Sequence, residues 1–91
     1  MKTVTINKGE ELTPNLNGFT HFWLNEIVRE DETVITKVKP TYPSEFDAKD
    51  PLRCNFNYDG TTPTIVFDPE TKKLKASGWG YTKLTLTFVK E

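Results

Sequence analysis

Few side chains in this sequence combine the type and the spacing that chemistry requires. His21 is the only histidine, so an imidazole metal triad or a nucleophile–base pair lacks its second member, and the residue is read as a solvent-facing strand histidine. Cys54 is the only cysteine, and Leu52 and Phe56 flank it at alternate positions; apolar neighbours raise a thiol pKa, so a core role is expected. Asp47, Asp50, Asp59 and Asp68 fall in separate loops. They lack the D-x-D-x-D-G spacing that gathers several oxygens within one short calcium loop, and are read as solvated turn carboxylates. No catalytic set, metal site or cofactor is expected, which leaves recognition. Trp79 and Tyr81 alternate with Gly78 and Gly80, and Lys72, Lys73, Lys75 and Lys83 form a basic stretch around them, against an acidic run from Glu26 to Glu32. Trp79, Tyr81, Lys72, Lys73 and Lys75 are therefore the expected partner-binding residues. Trp79 has two readings: it caps the open end of the core, or it stands at the surface as an anchor for a sugar or a protein.

The elements that position these residues come from a chain of 91 residues, enough for one domain (1–91) with a single small core. Twelve Lys and Arg against 13 Asp and Glu give a net charge of −1, too even for a field that gathers nucleic acid or an acidic membrane. With one cysteine the core has no intrachain disulfide, which fits cytoplasmic synthesis. The residues after Met1 lack the apolar run of a secretion signal, and the chain is expected to be complete from that methionine. A hydrophobic content of 35% and an aromatic content of 12% exceed those of a disordered chain.

Period-two alternation dominates. Val4 and Ile6 share one face of a first strand, and Lys8-Gly9-Glu10-Glu11 turns the chain. Phe19 to Val28 is compatible with helical and strand spacing; its aromatic content favours a strand, with Phe22, Leu24 and Val28 on one face. It pairs in a hairpin from about Thr20 to Lys39. Pro40 to Pro51 holds three prolines and reads as a long surface crossing, with a weak Ser44/Asp47 capping signal for one helical turn that tucks Phe46 beneath it. Leu52 to Tyr58 is a strand, Thr64 to Phe67 a second, and Asp68-Pro69-Glu70-Thr71 a turn. Leu74 and Ala76 lead into the glycine corner, and Leu84, Leu86 and Phe88 share one face of the last strand, with Lys83, Thr85 and Thr87 opposite. Short strands with turns at regular intervals and one long crossing predict an all-β Greek-key sandwich of about seven strands.

Three runs in the second half carry a resemblance: Asn57-Tyr58-Asp59-Gly60-Thr61-Thr62-Pro63-Thr64-Ile65-Val66-Phe67-Asp68, then Lys73-Leu74-Lys75-Ala76-x-Gly78-x-Gly80, then Leu84-Thr85-Leu86-Thr87. Together they resemble the bacterial immunoglobulin-like domain, group 2, over roughly residues 52–89 and more weakly over Val4, Ile6, Gly9 and Leu12. Trp79 and Tyr81 depart from it, standing where that family has small residues. So does the longer, more aromatic segment from Phe19 to Lys39. The resemblance implies an immunoglobulin-like sandwich without catalytic residues, of the kind found in surface adhesins and as decorations on bacteriophage virion proteins. The resulting expectation is a non-enzymatic virion accessory, for example a capsid decoration, made in the host cytoplasm and acting through protein contacts with a capsid or other virion protein or with copies of itself. A small cytoplasmic inhibitor of a host defence protein and a carbohydrate-binding or adhesion module are the alternatives.

Overall fold

In the computed structural model, which describes Met1–Glu91, the alternation becomes two antiparallel sheets and no helix. The first sheet is built around β9 (Tyr81–Val89), with β1 (Lys2–Asn7) on one side and β3 (His21–Arg29) on the other. The far side of β3 carries β4 (Val34–Thr36) along part of its length and the two-residue β5 (Ser44–Glu45) along another part. The second sheet runs in the order β2 (Glu11–Leu12), β8 (Lys73–Trp79), β7 (Thr62–Asp68), β6 (Leu52–Asn55). Nine strands thus replace the expected seven or so, because the two-residue pairings of β2 and β5 leave no signal in a periodicity that needs four residues to be seen.

The inward faces meet in one apolar core. Val4, Ile6, Phe22, Leu24, Ile27, Leu84, Leu86 and Phe88 come from the first sheet, and Ile65, Phe67, Leu74 and Ala76 from the second. Phe46 joins them from the proline-rich crossing. Its ring meets Phe88 at 5.1 Å and Phe22 at 6.3 Å on one sheet, and Phe67 at 5.3 Å on the other, all edge-on. The crossing is therefore pinned into the core by Phe46, with Ala48 buried close by in sequence, and the ring edges of Phe46 and its neighbours meet ring faces favourably.

No helical turn forms in the crossing. Ser44 and Glu45 instead pair with Phe22 and His21. The Asp47 carboxylate accepts the backbone N–H of Lys49 at 2.9 Å, and Asp50 N–H donates to the Asp47 carbonyl at 3.0 Å. An aspartate that bonds its own downstream backbone closes a tight turn in place of a helix.

Two bulges decide which side chains face inward. Between Leu24 and Glu26 the β3–β9 register slips, with Asn25 as the extra residue, so the inward series runs Phe22, Leu24, Ile27, and Val28 is not on that face as expected. Thr87 keeps the outer face, opposite Trp23 and Thr3, but it is buried there, and its hydroxyl donates to Asn25 Oδ1 at 3.0 Å. A second slip places Val28 opposite Lys83 but Arg29 opposite Tyr81, leaving Thr82 as the extra residue of β9. One additional residue reverses the facing of the residues beyond it relative to strict alternation.

The chain changes sheets at the glycine corner. β8 ends at Trp79 and β9 begins at Tyr81, with Gly80 alone between them. Gly78 has φ +105°, and a Cβ there would lie 2.0 Å from the Thr62 carbonyl oxygen; Gly80 has φ +83°, with the Gly60 carbonyl oxygen 2.6 Å from the equivalent position. Only glycine fits either place.

Candidate functional site

Along β8, Lys73, Lys75, Ser77 and Trp79 point outward while Leu74 and Ala76 are buried. Strand geometry therefore puts three of the expected binding residues, Trp79, Lys73 and Lys75, on one outer face of the four-stranded sheet. Trp79 is 75% exposed, which decides between its two readings: it does not cap the core. It stands opposite Thr62 on β7, with the Lys8 ammonium 5.5 Å from its ring centroid. A cation over an indole face orients the ring without covering its edge.

Tyr81 does not share this surface. It is 1% exposed, and its hydroxyl donates to the Ser77 carbonyl at 2.6 Å while burial pushes the phenol pKa up to about 12. The Thr82 bulge is the reason: strict alternation back from Leu84 would have put Tyr81 outside with Lys83. Tyr81 is accordingly removed from the binding set and assigned to the corner, where its ring fills the core and its hydroxyl ties β9 back to β8. Tyr81→Phe is expected to keep the ring and lose about 0.5–1.5 kcal/mol of stability, to be read from urea unfolding midpoints.

The basic stretch is also divided. Lys73 and Lys75 reach Glu11 on β2 at 3.4 and 3.2 Å, and their hydrogen bonds, that of Lys75 foremost, hold the Glu11 carboxyl below its ordinary range. Lys72 lies in the β7–β8 turn at φ +64°, its N–H donating to the Asp68 carbonyl at 2.8 Å. Lys83 is on the other sheet. The four lysines are therefore not one free cationic patch. Around Trp79 the face is mixed, with the Glu11–Lys75–Lys73 cluster at its far end.

The remaining candidates stay apart. His21 accepts or donates through Nδ1 to the Thr20 hydroxyl at 2.8 Å and borders an open cleft of about 440 Å3 with Glu45, Asp47 and Asp50. Cys54 is half-buried against the core, and burial pushes its thiol pKa up. Asp68 accepts the Glu70 N–H at 2.9 Å within its own turn, and Asp59 faces Arg29 at 3.7 Å.

A second surface escaped the sequence reading. Where the β4/β5 edge of one sheet approaches the β6 edge of the other, Trp23, Leu24, Val38, Tyr42, Phe56 and Tyr58 line a cleft of about 280 Å3. Phe56 and Tyr58 stack at 6.2 Å, and the Lys37 ammonium sits 4.5 Å from the Tyr58 centroid. The available signal was Tyr42 between Pro40 and Pro43: an aromatic residue in a segment that cannot pair has no strand to bury it, and it is 90% exposed. Comparison with known proteins supplies no relative for this arrangement, since no family model, curated protein or solved structure matches the chain.

Proposed function

We propose that the chain is a binding module of the bacterial immunoglobulin-like kind, with a Greek-key sandwich, that acts without catalysis as an accessory component of a bacteriophage virion. Its partner is a capsid or other virion protein, and it reaches the particle after synthesis in the host cytoplasm. The observation that carries this reading is Trp79, held 75% exposed between two glycines that no other residue can replace. A large aromatic side chain between two closely packed glycines contributes contact area at low entropic cost, the property of an interface anchor. The core does not use that ring, since Leu74 and Ala76 of the same strand fill the interior beneath it and its intramolecular cation contact is the Lys8 ammonium. Lys73 and Lys75, with Glu11 between them, supply a polar margin on the same face, as protein interfaces have around an apolar centre.

The reading is tested on virus particles of the genome that encodes the chain. Peptides of this protein are expected in purified, assembled particles at a stoichiometry comparable with a capsid component, and the purified protein is expected to co-sediment with particles that lack it. Strict absence from particles, with no co-sedimentation, removes the virion reading.

A further inference from the structure

Of the five large apolar side chains left exposed, Met1, Val34, Val38, Tyr42 and Trp79, three lie on β4 and the segment that follows it into the crossing. Val34 is 52% exposed and Val38 is 85% exposed. They flank an unpaired strand edge. Arg29 N–H donates to the Thr33 carbonyl at 2.8 Å and Lys37 N–H to the Asn25 carbonyl at 2.8 Å, and Ile35 pairs with Ile27. Thr33, Ile35 and Lys37 are thus the residues whose backbone groups turn toward β3. In an antiparallel ladder successive residues alternate direction, so the N–H and C=O groups of Val34 and Thr36 point away, to the free side of the sheet, and the bond of Lys37 to Asn25 carries the same alternation on to Val38 just past the strand. β5 covers the edge of β3 only at His21 and Phe22 and leaves this stretch open.

Charge along this edge is self-complementary in order, although within one copy the Lys39 ammonium also pairs with the Glu91 carboxylate and Lys37 lies over the Tyr58 ring. Glu30, Asp31 and Glu32 precede β4, and Lys37 and Lys39 follow it. The turn that carries the acids is fixed, since the Asp31 carboxylate accepts both the N–H and the hydroxyl of Thr33, at 3.0 and 2.6 Å. Lysines on an edge strand ordinarily discourage pairing with another strand. Here a second β4 laid antiparallel brings its acidic end to the basic end of the first and its basic end to the acidic one.

We infer that two copies of this chain pair through β4 about a twofold axis at Thr36, joining their larger sheets into one continuous sheet. Thr36 then faces its own counterpart, and Val34 of each copy faces Val38 of the other. The outward backbone groups of all three residues find partners, and two exposed valine pairs are removed from water, the recurrent means by which a sheet edge recognises a strand. A twofold contact requires this self-matching of one patch. The contact lies on a different sheet from Trp79, so its success or failure is independent of the virion reading.

Sedimentation equilibrium of the purified protein tests the inference. Wild type is expected to pass from monomer to dimer with rising concentration, with a dissociation constant that increases at high salt as the end charges are screened. Val34→Lys and Val38→Glu, each at an exposed position, are each expected to weaken the dimer at least tenfold while keeping the wild-type melting curve. An equimolar mixture of the two variants is expected to restore it, because the introduced lysine of one copy then faces the introduced glutamate of the other. A wild-type monomer at every concentration overturns the inference, as does a dimer that Val38→Glu leaves unchanged. Failure of the mixture to associate overturns the register and with it the pairing.

Discussion

Phe46→Ala is expected to destabilise the protein by about 3–5 kcal/mol, the range for emptying a core aromatic site. For a chain of 91 residues that is a large share of a total stability of roughly 5–14 kcal/mol. The corresponding fall in the thermal midpoint is on the order of 12 °C or more. The effect is large because Phe46 touches both sheets. Phe22 and Phe88 close on it from one side and Phe67 from the other, and the prolines on either side of Phe46, Pro43 and Pro51, limit how far the backbone can follow to fill the void. Phe46→Leu is expected to retain most of the stability, since it refills the greater part of the volume. Circular dichroism melts of the two variants check this, and a loss below about 1 kcal/mol for the alanine variant contradicts the role of Phe46 in joining the two sheets.

Gly78→Ala is expected to do more damage still. Two penalties coincide at that position: a φ of +105°, which L-residues rarely adopt, and a Cβ placed 2.0 Å from the Thr62 carbonyl oxygen. The obstructing atom is backbone in a paired strand, so relief requires β7 and β8 to separate at the Pro63–Gly78 pair. A loss above about 4 kcal/mol, seen as insoluble expression or a collapsed melting transition, is the expected outcome for strain of this kind. Gly60→Ala is the control. It too has a positive φ, of +82°, but nothing lies within 4 Å of the added carbon, so only a conformational cost of about 1–2 kcal/mol remains. Equal effects of the two substitutions would show that the close approach at Gly78 is not what the glycine is for.

Much of this architecture was legible from alternation alone. Val4 and Ile6, Leu74 and Ala76, and Leu84, Leu86 and Phe88 face the core as period two requires, and the aromatic segment after Phe19 is a strand. The Asp68-Pro69 turn formed where proline and aspartate placed it, closed by Lys72 N–H on the Asp68 carbonyl. What was lost came from single residues that alternation cannot register. Asn25 and Thr82 each add one residue to a ladder, and no local composition announces a bulge. The first exchanged Val28 for Ile27 in the core, and the second moved Tyr81 from the surface to the interior.

The candidate site divides in the same way. Trp79 stood out in the sequence between its two glycines, but its exposure stayed open between two readings until the structure placed it with Lys73, Lys75 and Ser77 on the side away from Leu74 and Ala76. The ties of Lys73 and Lys75 to Glu11 were not legible, because they depend on β2 pairing with β8 across more than sixty residues of sequence. The seam lined by Trp23, Tyr42 and Tyr58 likewise arises only when the edges of two sheets meet, bringing together residues that are far apart along the chain.

The virion reading requires that Trp79 serve a partner and not the fold. Co-sedimentation of Trp79→Ala with assembled particles, using protein whose melting curve matches wild type, tests it most directly. The variant is expected to remain in the supernatant at concentrations where the wild-type protein pellets with the particles. A variant that pellets as wild type does would contradict the claim.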